Sequence, residues 1–182
     1  MRSFALPLAI AAVLAGCATS NPFVRVAPDY SDVPREALDA VALRVEQAVA
    51  RGDREPEITG SAGIVLDTPE IKQAIRTRAA RAELLSEFLD TGYLCEKRSG
   101  LVYVERNGAY KKNTTRAERD RHALLVMGEN SNRWTIYEGI VKASNFPPRS
   151  LSAVQEAFFK ARQSLMKPGQ RYENESGETV VK

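Results

Sequence analysis

The apolar positions of the chain begin as an unbroken run: Phe4, Ala5, Leu6, Leu8, Ala9, Ile10, Ala11, Ala12, Val13 and Leu14 follow Arg2 with no charge among them. A membrane-spanning helix needs about 20 such residues, whereas a basic residue, roughly 7–15 apolar residues and a small-residue cleavage site make a secretory leader. Ala15 and Gly16 supply the small residues, so residues 1–16 read as a signal peptide cut between Gly16 and Cys17. Residues 17–32, with Thr19, Ser20, Asn21, Pro22, Pro28, Asp29, Ser31 and Asp32, show no apolar period and read as a flexible tether.

Phased positions follow. Leu38, Val41, Ala42, Val45 and Val49 keep the three-and-four spacing of one helix face, with Pro34 suited to the first turn, Ser31 or Asp32 as cap, and an end near Arg51-Gly52. The charged stretch Asp53, Arg54, Glu55, Pro56, Glu57 and the small residues Gly60-Ser61-Ala62-Gly63 then read as a linker. Residues 33–67 are therefore expected to be an N-terminal helix with its linker, and 68–182 the main domain. Thr68-Pro69-Glu70 restarts helix, and Ile71, Ile75, Ala79, Ala82, Leu85 and Leu89 predict one continuous element up to Thr91-Gly92. Arg76, Arg78 and Arg81 read as its solvated side, balanced in part by Glu83 and Glu87.

Tyr93-Leu94-Cys95 and Leu101-Val102-Tyr103-Val104 around the turn Lys97-Arg98-Ser99-Gly100 predict a β-hairpin, with a second turn at Asn107-Gly108. The longest helix is expected from about Thr115 or Ala117 to Ala143. Its inward stripe is read as Leu124, Met127, Ser131, Trp134, Tyr137 and Val141, widened by Ile136 and Ile140. Pro147-Pro148 stops it. Ser150 or Ser152 caps another helix with Leu151, Val154, Phe158 and Leu165 inward, Lys167-Pro168-Gly169 ends that one, and Tyr172 with Val180-Val181 closes a last hairpin. The class implied is α+β: three to four helices packed with one or two short β-hairpins, a single small domain behind a tether.

Composition narrows the chemistry. Removing 16 of the 182 residues leaves 166, enough for one domain, and aromatics at 7 % imply an aliphatic core. The net charge of +3 drops to +2 with Arg2 gone, too slight to argue for nucleic acid. A single histidine, His122, and two cysteines offer no metal-site spacing, and no cofactor motif is present. Cys95 is expected to be a lone, buried thiol. Asp120 lies two residues before His122 without a serine elbow or a catalytic cysteine motif, so no catalytic residues are assigned.

One polar constellation stands out on the long helix. Asn130, Arg133 and Tyr137 recur at helical steps beside Glu129 and Trp134 and so share a side of the helix. The cluster either works inside the domain, with Arg133 on Glu129 and Asn130 on backbone, or holds a partner's extended peptide. Both roles remain open from sequence.

Two resemblances add to this. Leu14-Ala15-Gly16-Cys17 resembles the lipobox of bacterial lipoproteins. That likeness implies a mature chain starting at Cys17, acylated with palmitate-type chains on thiol and amine. Ala18 follows where an aspartate would imply inner-membrane retention, so the sorting implied is to the outer membrane. The stretch Glu129-Asn130-Ser131-Asn132-Arg133-Trp134-Thr135-Ile136-Tyr137-Glu138, with Ser150-Leu151, Val154, Lys167-Pro168-Gly169-Gln170 and Gly177, is similar to the C-terminal half of YdbL-type proteins. The Pro69-Glu70-Ile71 helix and the Gly92-to-Val102 hairpin fit the front half, so the likeness covers about residues 69–182. The chain departs from that family at Cys95, where glycine is usual, and at Thr179, where tryptophan is usual.

The resemblance implies a non-enzymatic envelope protein on the periplasmic side of the outer membrane, an adaptor or chaperone for an AsmA-like intermembrane bridge or a small lipoprotein in phospholipid transport. The alternatives are an envelope enzyme acting on peptidoglycan or lipid, which calls for a deep polar pocket at His122, and a direct lipid-binding domain, which calls for an enclosed apolar cavity.

Overall fold

A computed structural model describes residues 27–182. The leader, the Gly16–Cys17 cleavage and lipidation position, and the tether up to residue 26 lie outside the described residues. The described chain folds as α+β, with helices α1 (Arg35–Ala50), α2 (Pro69–Ala79), α3 (Ala82–Asp90), α4 (Gly108–Asn113), α5 (Arg116–Ala143) and α6 (Leu151–Leu165), and strands β1 (Leu94–Glu96), β2 (Val102–Val104), β3 (Arg171–Glu173) and β4 (Thr179–Val181). Among the described residues no helix is long and apolar enough to cross a membrane.

α1 forms from the expected face. Leu38, Val41, Ala42 and Val45 are fully buried, and the helix packs against α6 and α2. Its side chains share one hydrophobic cluster with Ile71 and Ile75 of α2, Ile136 and Ile140 of α5, and Val154 and Phe158 of α6. Burying a Val, Leu, Ile or Phe side chain contributes about 1.5–3 kcal/mol, so α1 is built into the core. Even the expected linker joins it: Ile64 and Leu66 are buried in the same cluster. The expected division between 33–67 and 68–182 therefore does not mark a boundary in the packing.

Thr68 caps α2 as expected, its Oγ1 accepting from the Ile71 amide at 3.3 Å. The single helix expected from Pro69 to Thr91 is instead broken at Ala80–Arg81, where Arg81 leaves helical geometry at φ −112° and ψ 4° and its guanidinium donates to the Gly128 carbonyl at 3.2 Å. The break lets the segment serve two cores. Ile71 and Ile75 belong to the main cluster, while Leu85 and Phe88 pack with Leu94, Val102, Tyr110 and Leu125 in a second one beneath the hairpin.

Three further corrections concern the middle of the chain. Asn107-Gly108 does not turn a hairpin; the Asn107 side chain accepts from the Tyr110 amide at 2.8 Å and caps α4, a short helix the apolar pattern missed. α5 starts with a capping box between Thr115 and Glu118 and buries Ile136, Tyr137 and Ile140 as expected, but the rest of its inward stripe differs from the one expected. Leu125, Glu129, Arg133, Ile136, Tyr137 and Ile140 point inward, whereas Leu124 is 69 % exposed, Met127 67 % and Trp134 38 %. In α6, Val154 and Phe158 are buried as expected but Leu165 is exposed, and neither candidate serine bonds as a helix cap: Ser150 makes no capping bond, and Ser152 instead donates to the Arg149 carbonyl and accepts from the Asp29 amide.

The two hairpins form with Cys95 opposite Tyr103 and Tyr172 opposite Val180. They also join. β1 pairs parallel with β3, giving one four-stranded sheet in the order β2-β1-β3-β4. A parallel pairing needs a long crossover, supplied here by the helices between the two hairpins. That join places Glu96, at the end of β1, against the inner faces of α5 and α6.

Candidate functional site

The polar cluster read from α5 is part of a larger one. Arg133 donates from Nε to Glu129 at 2.7 Å and grips both carboxylate oxygens of Glu96 at 2.7 and 2.8 Å. Glu129 also accepts from Nε of Arg78 at 2.9 Å, and Arg78 forks onto both oxygens of Glu46 at 3.0 and 2.8 Å. Arg162 closes the circuit, donating to Glu46 at 2.8 Å, to Glu96 at 3.0 Å and to the Tyr137 hydroxyl at 3.0 Å. Three arginines and three glutamates from α1, α2, β1, α5 and α6 thus form a neutral ring, each residue under 8 % exposed.

Gly100, in the β1–β2 turn, is the backbone anchor of this ring. Its carbonyl accepts from the Tyr137 hydroxyl at 2.7 Å, Arg162 at 2.8 Å and Arg133 at 3.3 Å. A side chain here would be doubly obstructed, because φ is +78° and a Cβ would sit 2.9 Å from Cε2 of Tyr137. Asn130 ties the same hairpin to α5 by bonding both the amide and the carbonyl of Val102, at 2.9 and 2.8 Å. The donors of Glu129's cluster are therefore engaged inside the domain, Glu129, Arg133 and Tyr137 being buried and Asn130 half-buried.

Burial by itself pushes the carboxyls of Glu46, Glu96 and Glu129 up, but the arginine charges around them outweigh it and hold all three below the usual range, Glu129 down to about 2. The arginines hold their protons more firmly still: burial opposes it, and the glutamates prevail. Groups fixed in one charge state do not shuttle protons near neutral pH. What the ring supplies is directional bonding between five elements, each bond strong because water is excluded.

A cleft of about 640 Å³ lies above the ring, between the end of α1, the α2–α3 segment and the end of α6. Arg78, Arg162 and Glu46 lie at its floor, and Leu85, Leu165 and Met166 line its walls. Its floor is charged, unlike the enclosed apolar cavity a lipid-binding domain calls for.

His122 lies elsewhere. Its ring stacks on Phe88 with centroids 3.7 Å apart, its Nδ1 meets the Tyr110 hydroxyl at 3.1 Å, and burial lowers its pKa. It lines neither this cleft nor the one of about 630 Å³ beside the β1–β2 turn. Asp120 is exposed and makes no bond to it. Cys95 is fully buried in β1, and burial pushes its thiol up. Among the described residues no group of three or more His, Cys, Asp or Glu side chains could hold a metal ion.

Sequence reasoning found Glu129, Asn130, Arg133 and Tyr137 but missed Glu46, Arg78, Glu96 and Arg162, and Arg78 was read as solvated. The signal was present. Glu46 falls in phase with Ala42, Val45 and Val49, Arg78 with Ile71 and Ile75, and Arg162 with Val154 and Phe158. A charged residue at an apolar-phase position requires a partner of opposite sign when the face is buried.

The outer side of α5 is what remains open to solvent. Leu124, Met127 and Trp134, with Ser131 between the last two, recur at steps of three, four and three along a helix about 42 Å long. The fold and site define a small α+β domain with an ion-paired interior and an apolar seam on its longest helix. No family model, curated protein or solved structure matches the chain.

Proposed function

We propose that this chain is a non-enzymatic lipoprotein, held through acylated Cys17 at the periplasmic face of the bacterial outer membrane, that acts as an adaptor in an envelope assembly of the AsmA-like, phospholipid-transporting kind. The observation that supports it is the α5 seam. Met127 and Trp134 stand exposed one heptad apart on a helix whose inner side is pinned by the ring, which makes a rigid ridge for an apolar groove or helix of a partner. The lipobox-like Leu14-Ala15-Gly16-Cys17 supports the anchor, since two or more acyl chains hold a protein stably on a bilayer. The YdbL-type pattern supports the partner class.

Two measurements test the reading. Mass spectrometry of the mature N-terminus should find acylated Cys17, and Cys17→Ser should release the protein from membranes. A photo-crosslinking residue at position 127 should join the protein, in intact envelopes, to a bridge-type protein or a small lipoprotein, and Trp134→Ser should abolish that adduct. A soluble, unacylated wild type removes the anchor; no adduct to either partner type removes the adaptor role.

A further inference from the structure

The segment from Arg106 to Arg121 carries six basic side chains, Arg106, Lys111, Lys112, Arg116, Arg119 and Arg121, against two acidic ones, Glu118 and Asp120. Its balance of +4 exceeds the +3 of the whole chain, so the rest of the sequence is close to neutral. The excess positive charge is concentrated in α4, its flanks and the start of α5.

Among the described residues, the structure leaves those cations without an ion pair. Several cations elsewhere meet carboxylates, Arg76 with Glu55 at 2.7 Å, Lys167 with Asp90 at 3.1 Å, Arg98 with Glu156 at 2.8 Å, and Arg149 with Asp29 at 3.1 Å. Among the described residues, Arg106, Lys111, Lys112, Arg116 and Arg121 are exposed and form no ion pair within 4.0 Å. Glu118, the nearest acid in sequence to several of them, is occupied by the Thr115 amide and hydroxyl at 2.6 and 2.8 Å. Only Arg119 turns inward, onto the carbonyls of Thr114 and Lys111.

The cations are held in fixed relation. Tyr110 packs in the second core with Leu125 of α5 and its hydroxyl meets His122 Nδ1 at 3.1 Å, Asn107 caps α4, and Asn113 donates to the Tyr93 hydroxyl at 2.9 Å, so α4 is clamped to the first turns of α5 and to the segment before β1. Two turns beyond Arg116 on the same side of α5 stands Leu124, the most exposed large apolar side chain of the described residues at 69 %. Fixed cations bordering an exposed leucine match an anionic lipid surface, where basic side chains meet phosphates and the apolar one enters the headgroup layer.

We infer that this basic segment docks on an anionic phospholipid bilayer and sets the orientation of the domain against it. The inference rests on the anchored reading above for its setting: the ten residue-to-residue steps from Cys17 to Ala27 have a contour of at most about 35 Å, so the domain stays within reach of the surface. Contact at the basic segment leaves Met127 and Trp134, farther along α5, free for a protein partner.

The test uses the full chain carrying Cys17→Ser, so that binding does not depend on acylation, and compares it with the same chain carrying Lys111→Gln, Lys112→Gln and Arg116→Gln. Sedimentation with vesicles of phosphatidylcholine alone, and with one lipid in three replaced by phosphatidylglycerol, reads the affinity. The parent should bind the anionic vesicles about tenfold or more tighter than the neutral ones, and lose that preference near 0.5 M salt, where screening shortens to a few ångströms. The triple variant should lose the preference at unchanged thermal stability, while Lys72→Gln with Lys160→Gln should keep it. Equal binding to both vesicle types, or a triple variant that still prefers anionic lipid, overturns the inference. So does variant-sensitive binding to polyglutamate or DNA without vesicle binding, which would assign the patch to an acidic polypeptide or a nucleic acid. Acylation of the wild type is read separately by mass, so a failed anchor and a failed docking surface give different results.

Discussion

Arg133 on α5 holds Glu96 on β1 through two parallel bonds of 2.7 and 2.8 Å, joining the longest helix to the central hairpin across 37 positions of sequence. The pair is fully buried, and its remaining valences are taken by Glu129, Gly100 and Arg162. Taking charges out of water is costly, so such a ring is weak evidence of high stability, but removing one member leaves the others uncompensated.

Arg133→Met is accordingly expected to lose about 3–5 kcal/mol, because it strands the carboxylates of Glu96 and Glu129 in the interior. Urea unfolding measures it. The double variant Arg133→Met with Glu96→Gln should lose clearly less than the sum of the single losses; simple additivity would show that the two are not coupled.

The ring also sets an acid limit. With the folded pKa of Glu129 depressed to about 2, its contribution is fully present above the ordinary carboxyl value of 4.5. Below that value the unfolded chain takes up a proton that the folded one refuses, so stability falls with pH until about 2. Glu46 and Glu96 are shifted the same way and steepen the fall. The contribution of Glu129 is of order 3 kcal/mol at neutral pH. Unfolding midpoints measured from pH 6 to pH 2 should drop steeply in wild type and less steeply in Glu129→Gln; parallel profiles would refute this origin.

The two sides of α5 should respond oppositely to substitution. Met127→Ser touches an exposed position and is expected to change stability by no more than about 0.5 kcal/mol, whereas Ile136→Ala, fully buried, should cost about 2–5 kcal/mol. A loss at Met127 as large as that at Ile136 in denaturant melts would put Met127 in the interior, where the apolar spacing alone suggested.

Gly100 and Gly108 make a matched test of backbone. Gly100→Ala places a Cβ 2.9 Å from Tyr137 at a positive φ and disturbs the carbonyl that three donors share, so a loss of about 1–3 kcal/mol is expected. Gly108→Ala meets nothing within 4 Å at the first position of α4, so it should be neutral or stabilising by about 0.4–1 kcal/mol. Similar thermal shifts for both would argue against the role given to Gly100.

Local signals were readable to the extent that they are local. Thr68-Pro69, the Lys97–Gly100 turn, Pro147-Pro148 and Lys167-Pro168-Gly169 each marked an element end, because capping and turn chemistry act within a few residues. On α5, Ile136, Tyr137 and Ile140 were legible as interior and Arg133 on Glu129 as one of two open roles, but a spacing rule also counts Leu124, Met127 and Trp134 as interior, and these are exposed. Once opposite charges are supplied from α1, α2, β1 and α6, the ionic side is the one that can be buried.

Sequence by itself determined the helices of α1, α5 and α6, both hairpins, the burial of Cys95, and the leader-like apolar start, all of them consequences of periodicity, turn residues and composition over short spans. Tertiary structure alone decided that α1 belongs to the core, that two hairpins merge through a parallel β1–β3 pairing, and that Glu46, Arg78, Glu96 and Arg162 meet the α5 pair. The physical reason is that an ion pair or a strand pairing between distant segments has no signature in either segment. Its energy exists only when the partner arrives and water leaves.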